Sequence, residues 1–143
     1  MRIALGSDHA GFEAKELLIK ALIKDGFTIL DQGCFNTDSV DYPDFAKAVG
    51  KVVVEKHADG GVLICGTGIG MSIAANKVDG IRAALVTSTE HARLSKEHNN
   101  ANVICMGARM QTVSEMKNFV DVWTKSKFEA GRHQQRINKI ELK

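Results

Sequence analysis

Five short apolar runs rich in β-branched residues, each followed by a stretch with apolar residues at helical spacing, constrain the fold more than any other feature of this sequence. Such runs are typical of strands that are buried on both faces of a sheet. The predicted strands are Arg2–Gly6, Phe27–Leu30, Gly61–Cys65, Ala83–Val86 and Asn102–Met106. The predicted helices are Glu13–Lys24, Asp44–Lys56, Met71–Lys77, Glu90–Glu97 and Thr112–Lys125.

This alternation of strand and helix predicts the doubly wound α/β class. Right-handed crossovers then give a Rossmann-like, five-stranded parallel sheet with helices on both faces. The 143 residues, 44% of them hydrophobic, fit a single domain spanning 1–143, because domains commonly run to about 100–150 residues. Residues 129–143 follow the last predicted core helix and are too polar to be core, so we expect a C-terminal helical segment there.

Charge and composition exclude several classes of protein. The formal net charge is only +2, which argues against a nucleic-acid or membrane-surface partner. No run of 18 apolar residues occurs, and Asp8 interrupts any signal-peptide apolar region, so a soluble protein is expected. Cys34, Cys65 and Cys105 are odd in number and form no C-x-x-C pair, which fits neither a disulfide framework nor a zinc site. We therefore expect a protein of the reducing cytoplasm.

The glycine-rich sequence CGTGIGMS, residues 65–72, directly follows the third predicted strand and precedes a predicted helix. Glycines at 66, 68 and 70 allow successive backbone N–H groups to turn towards one point, which makes a cradle for an anion or oxyanion. The alternative is a tight turn that merely needs glycine. The spacing matches neither the dinucleotide motif G-x-G-x-x-G nor the phosphate-loop motif, so the ligand is expected to be smaller than a dinucleotide.

Cys65 is the first candidate for chemistry, because the positive end of the following helix would stabilise a thiolate there. A thiolate serves as a base or as a nucleophile. The alternative is a buried and inert cysteine, which is what we expect of Cys34 and Cys105.

Other polar residues fall beside the predicted strands. Asp8 and His9 follow the first strand, at the sheet edge where such folds bind ligands, although Asp8 is also a plausible helix cap. His98 lies beside the start of the fifth strand, and histidine donates or accepts protons near neutral pH. These positions predict acid–base chemistry around the glycine-rich sequence.

Three arginines suggest that the ligand carries a phosphate. Arg132 and Arg136 are four residues apart and therefore share one helical face, while Arg109 follows the fifth strand. Each arginine alone would ordinarily be a solvated surface charge. Several of them near a strand-end site favour phosphate recognition instead.

Six segments that together cover nearly the whole chain carry a family resemblance. They are SDHAGF at 7–12, DYPDFA at 41–46, GVLICGTGIGMSIAANKVDGIRAAL at 61–85, HNNANV at 98–103, GAR at 107–109 and GRHQQR at 131–136. Together they resemble type B ribose-5-phosphate isomerases. The allose-6-phosphate and galactose-6-phosphate isomerases share that fold, so the resemblance indicates the reaction type better than the sugar.

The resemblance implies an aldose–ketose isomerase of the non-oxidative pentose phosphate pathway that interconverts ribose 5-phosphate and ribulose 5-phosphate through an enediolate, without metal or cofactor. It implies that Cys65 is the proton-transferring base and that His98, helped by Thr67, opens the sugar ring. Another branch of the family uses a glutamate of the glycine loop as base, but this chain has Met71 at that place. Cys65 therefore has to act.

The resemblance also implies the substrate-binding groups. Backbone groups of the glycine loop would bind the enediolate oxygens, namely those of Gly66, Gly68, Ile69 and Gly70. Sugar hydroxyls or phosphate would be held by Asp8, His9 and Asn99, and the sugar would be bordered by Tyr42. The phosphate ligands would be Arg109, Arg132 and Arg136, some of them supplied by the partner in a homodimer. Residues 129–143 would contribute to that dimer interface, and pairing of dimers into tetramers is left open.

Two alternatives remain beside this hypothesis. A binding module that captures a sugar phosphate or nucleotide without chemistry would explain the loop and the arginines, but it leaves Cys65 and His98 without a task. An allose-6-phosphate isomerase, or one subunit of a hetero-oligomeric galactose-6-phosphate isomerase, would share the mechanism. The hetero-oligomer is the weaker of these, because base, ring opener and phosphate ligands all occur in one chain.

Overall fold

A computed structural model, which describes residues 1–142, shows one sheet of five parallel strands in the order β2-β1-β3-β5-β4. The strands are β1 (Arg2–Ser7), β2 (Thr28–Asp31), β3 (Gly60–Cys65), β4 (Ala83–Leu85) and β5 (Val103–Gly107). The predicted fold class is thus confirmed, and each strand boundary lies within one residue of its predicted position.

Six α-helices connect or follow the strands. They are α1 (Phe12–Lys24), α2 (Tyr42–Val54), α3 (Ile69–Ala75), α4 (Thr89–Glu97), α5 (Val113–Lys125) and α6 (Arg132–Glu141). A short 3-10 turn, His9–Gly11, precedes α1. Helix α2 begins two residues before its predicted start, because proline suits the first helical turn and Pro43 lies there. Within residues 1–142 no helix is both long and apolar enough to cross a membrane.

The core is divided by the sheet into two halves. On one face α1, α4 and α5 bury apolar side chains, the largest being Trp123, whose indole N–H donates to the Ala101 carbonyl at 3.0 Å. On the other face α2 and α3 bury a smaller set that includes Val49 and Met71. Gly60 lacks a side chain for a steric reason, since a Cβ there would lie 2.5 Å from the Trp123 ring.

The strand order places one crevice at the carboxyl ends of β1 and β3. The chain passes from β1 outwards to β2, and from β3 in the opposite direction to β4. The carboxyl ends of the two strands are level, because Ser7 pairs with Ile64. Open parallel sheets bind ligands where the direction of winding reverses in this way. The crevice beside Asp8 and Cys65 is therefore the position where a site is expected.

A buried ion pair fixes the segment that passes this crevice. The Lys15 side chain on α1 is fully buried, and its ammonium lies 2.8 Å from both carboxylate oxygens of Asp31 and 2.9 Å from Glu16. Asp31 also accepts a hydrogen bond from the Gly33 N–H at 2.9 Å. This pair ties α1 to the end of β2 and to the loop that follows.

Removing the carboxylate of this pair is predicted to destabilise the protein. Asp31→Ala leaves the buried Lys15 ammonium with Glu16 alone, and losing one partner of a buried pair costs about 3 kcal/mol. The free energy of unfolding, measured by urea denaturation, should fall by that amount, and Lys15→Met in the same chain should recover most of it.

The exposed pair of Asp25 with Lys117 is the matched control. Asp25→Ala should lower the free energy of unfolding by less than about 1 kcal/mol, because solvent screens a pair at the surface. Equal losses for Asp31→Ala and Asp25→Ala would contradict the anchoring role of Lys15.

Candidate active site

An open cavity of about 440 Å³ lies at the carboxyl ends of β1, β3 and β5. It is lined by Asp8, Tyr42, Cys65, Gly66, Thr67, Ile69, Gly70, Ile73 and Arg109. All but Ile73 were predicted from the sequence. A larger cavity of about 510 Å³ opens at the amino ends of the strands, but its charged pair, Arg2 and Asp59, is already satisfied by mutual hydrogen bonds. The smaller cavity is therefore the better candidate for chemistry.

Cys65 ends β3 at the base of this cavity, with only 5% of its surface exposed. Its Sγ accepts a hydrogen bond from the Gly68 N–H at 3.1 Å. Gly68 can turn its amide in this way because its φ of +83° lies in the left-handed region that favours glycine. A donor aimed at the sulfur stabilises the thiolate, which is the form that accepts a proton.

The other two glycines of the loop allow larger side chains to approach the backbone. A Cβ at Gly66 would lie 2.8 Å from Nη1 of Arg109, and one at Gly70 would lie 2.7 Å from the Tyr42 ring. The backbone N–H of Arg109 also donates a hydrogen bond to the Gly66 carbonyl at 3.0 Å. The loop thus holds a guanidinium group and a phenol ring next to Cys65, a packing role that the sequence did not indicate.

Asp8 and His9 lie at the end of β1 as expected. Asp8 lines the cavity and also caps the 3-10 turn by accepting the Gly11 N–H at 3.1 Å, so both of its predicted roles are geometrically possible. His9 Nδ1 accepts a hydrogen bond from the Val40 N–H at 3.1 Å, and the neutral ring therefore carries its proton on Nε2. Nothing in the sequence singled out Val40, because its contribution is a backbone group.

Six of the predicted residues do not line this cavity within one chain: His9 and Gly68 are next to residues that do, and the other four lie farther away. His98 is the C-terminal cap of α4 and Asn99 follows it, while Arg132 and Arg136 lie on α6. Helix α4 returns from the carboxyl end of β4 to the amino end of β5, and β5 alone spans ~13 Å. Thr67 and His98 of the same chain therefore do not meet.

The arginines fall into two groups. Of the six in the sequence, Arg2, Arg82 and Arg93 form ion pairs with carboxylates. Within residues 1–142 the other three side chains have no carboxylate partner, and they are the predicted phosphate ligands Arg109, Arg132 and Arg136. Unpaired guanidinium groups are available to bind an anionic ligand.

The two remaining cysteines behave as expected of inert residues. Cys105 is fully buried, and burial raises the pKa of its thiol, with the nearby Cys65 raising it further. Cys34 is also buried, and its thiol donates to the Asn36 carbonyl at 3.4 Å. Neither one lines the cavity.

A cluster that the sequence did not predict surrounds His98. Its ring stacks on that of His133 with a centroid separation of 4.3 Å and an angle of 15° between the planes, and His133 Nε2 lies 3.5 Å from Glu129. Ligand atoms of these three residues lie within 4.8 Å of one another, as a metal site would require. However, nitrogen lone pairs lie in the ring planes, and nearly parallel planes do not direct them at one tetrahedral ion.

The chain belongs to the ribose/galactose isomerase family, since the family's sequence profile, described as Ribose/Galactose Isomerase, matches residues 3–140. It is 42% identical over 139 residues to ribose-5-phosphate isomerase B of Escherichia coli K12, covering 97% of this chain and 93% of that one.

Solved structures agree with this assignment. Ribose-5-phosphate isomerase B of Clostridium thermocellum superposes with a TM-score of 0.97 at 45% identity, covering 99% of this chain and 95% of that one. The enzyme of Mycoplasma genitalium, solved with bound ribulose-5-phosphate, superposes with a TM-score of 0.91 at 45% identity, covering 98% and 93%. The predicted resemblance is thus confirmed.

That the protein works without a metal stays a prediction, and the geometry of the histidine stack yields a test. Protein dialysed against dipicolinate should hold a substoichiometric amount of metal by elemental analysis, and one equivalent of Zn²⁺ should leave its melting temperature unchanged. The reason is that the stacked rings of His98 and His133 do not converge on one ion. Cys65→Ser lacks the thiol and is therefore the control for zinc that binds at Cys65 instead of at the histidines. Stoichiometric zinc that is lost in His133→Asn would show a metal site.

Proposed function

We propose that this protein interconverts ribose 5-phosphate and ribulose 5-phosphate as an aldose–ketose isomerase of the non-oxidative pentose phosphate pathway. The observation that carries the proposal is the Cys65 sulfur, which accepts the Gly68 N–H at the base of a cavity lined by the unpaired Arg109. The bound ribulose-5-phosphate of the Mycoplasma genitalium relative supports the choice of sugar. The three free cysteines fit action in the reducing cytoplasm.

The reaction needs a base, an oxyanion site and a ring opener. The Cys65 thiolate takes the proton from C2 of the open-chain aldose, and the electron pair of the C–H bond forms the C1–C2 enediolate. The resulting thiol returns the proton to C1, while a second proton moves from the C2 oxygen to the C1 oxygen. Gly70 lines the cavity in the first turn of α3, where N–H groups have no acceptor within the helix, and its N–H stabilises an enediolate oxygen.

We propose further that each active site is shared by two copies of this chain in a homodimer. His98, Asn99, Arg132 and Arg136 would serve ring opening and phosphate binding, yet they lie on the side of the amino ends of β4 and β5, whereas Cys65 lies at the carboxyl end of β3. Ile69 and Ile73 at the mouth of the cavity are 52% and 60% exposed, which fits an apolar surface that a partner covers.

A two-fold axis would bring the partner's His98 and α6 arginines to Cys65 and create two equal sites. From the sequence, only arginines were expected to come from the partner. The separation of His98 from Thr67 extends this proposal to His98 and Asn99. Residues 129–142 would then form part of the interface, and residue 143 of the expected segment lies outside the described residues.

A binding module without chemistry explains less. It requires the glycine loop and the unpaired arginines but gives no reason for an amide donor aimed at the Cys65 sulfur. Isomerases of allose or galactose phosphates would use the same base, so the relative catalytic efficiency on five- and six-carbon phosphates decides between the sugars.

Cys65→Ala is predicted to abolish catalysis without preventing binding. Removing the group that transfers the proton should lower kcat by at least about 10³-fold, while the arginines still bind the phosphate. Ketose formation from ribose 5-phosphate measures turnover, and calorimetry measures binding. Cys65→Ser is the control of similar size, and its weaker acidity should leave it nearly inactive. Near-normal turnover in Cys65→Ala would mean that another residue is the base.

Mixing of inactive variants is predicted to restore activity. Cys65→Ala and the double variant Arg132→Ala/Arg136→Ala should both be inactive alone. After dissociation and reassociation, about half of the dimers are mixed, and one of the two sites in each mixed dimer combines an intact cysteine with intact arginines. Activity should therefore recover to about a quarter of the wild-type value. If mass spectrometry confirms subunit exchange and activity stays at the level of the parents, the sites are not shared.

A further inference from the structure

A neighbouring imidazole ring lies against the His98 side chain. Its side chain is half-buried, and within residues 1–142 no hydrogen bond holds the imidazole. The ring stacks on His133, with a centroid separation of 4.3 Å and 15° between the planes. We propose that His133 is a positioning residue, which holds the His98 ring in the orientation for proton transfer during opening of the sugar ring. This inference rests on the proposed function.

His133 is itself firmly placed. It is 6% exposed and lies with Ile137 on the buried face of α6, one helical turn apart. Its Nε2 is buried without a hydrogen bond, and the nearest carboxylate oxygen, on Glu129, is 3.5 Å away. At that distance Glu129 attracts the ring but forms no regular hydrogen bond with it.

The segment that carries His133 is attached to the helix that carries His98. The Glu129 N–H donates to the Glu97 carbonyl at 3.0 Å, one residue before His98. At the other end of α6, Arg82 forms a 2.6 Å ion pair with Glu141. These contacts hold the two rings in one unit. Without such support, an imidazole could change rotamer about its Cα–Cβ and Cβ–Cγ bonds.

The stack orients the His98 ring through its flat face rather than through a hydrogen bond. A histidine that passes a proton to or from a sugar oxygen needs one ring nitrogen free for that oxygen. Contact with the face of the ring fixes its plane and leaves both nitrogens available. The flat shape of residue 133 should therefore matter more than its own nitrogens.

The test uses His133→Phe, which keeps a flat ring, and His133→Leu, which fills similar space but cannot stack. Turnover of ribose 5-phosphate requires ring opening. Exchange of the C1 proton of ribulose 5-phosphate with D₂O does not, because that ketose has no free C5 hydroxyl with which to form a five-membered ring.

We expect His133→Leu to slow turnover about tenfold, since acid–base groups contribute 10²–10⁴-fold and a misaligned one loses part of this. The exchange reaction should stay within about twofold of wild type, because no ring-opening step limits it. His133→Phe should keep most of the turnover. NMR should show the Cε1–H resonance of His98 displaced in His133→Leu more than in His133→Phe.

His57→Leu is the matched control, because His57 also lies 3.5 Å from a glutamate, Glu55, but is exposed and stacks on no other ring within residues 1–142. It should leave both rates unchanged. Equal rates in His133→Leu and His133→Phe, or equal losses in turnover and exchange, would overturn the positioning role.

His98→Asn separates this inference from the proposed function. A selective loss of turnover in His98→Asn, without one in His133→Leu, leaves His98 as the ring opener and refutes only the role of His133. If His98→Asn itself shows no selective loss, the proposed role of His98 fails first. If His133→Leu does not fold, a turnover in His133→Phe as low as that of His98→Asn also overturns the inference.

Discussion

The close contact between the glycine loop and the end of β5 is the constraint on which the site depends. A Cβ at Gly107 would lie 2.6 Å from the Thr67 backbone, and one at Gly68 would lie 2.8 Å from the carbonyl carbon of Met106. Because side chains are absent from both positions, the two backbones touch, and the loop takes the left-handed turn that aims the Gly68 amide at Cys65. The orientation of that amide is thus a result of packing between the glycine loop and the end of β5.

The distribution of charge supports a division of the site between chains. The three arginines that stabilise the fold each have a carboxylate partner, whereas the three predicted phosphate ligands have none within residues 1–142. Arg109 lies in the cavity of Cys65, and the other two lie on α6 beside the stacked histidines. This distribution fits the proposal that one chain carries two separate halves of a phosphate site, which a two-fold arrangement would join.

Much of this organisation was predictable from the sequence, and the exceptions have physical causes. Strand and helix positions follow from hydrophobic periodicity, and the cavity lining follows from the rule that ligands bind at strand ends. The separation of Thr67 from His98 was not predicted from the sequence. The residues around His98 do not indicate whether they lie at the carboxyl ends or at the amino ends of the strands. The stack on His133 was missed because it joins α4 to a helix 35 residues later in the chain, which a local pattern does not reveal.

The order of the strands also has a consequence for how the chain acquires its site. Among the strands of residues 1–142, β4 pairs with β5 alone, and β5 fills the gap between β3 and β4. During synthesis, β4 therefore emerges from the ribosome before its strand partner, and Thr67 and Gly68 lack the backbone they pack against until Met106 and Gly107 have followed. The packing that orients the amide above the sulfur requires the end of β5, so a truncated chain that ends before β5 carries every residue of the glycine loop but lacks this contact.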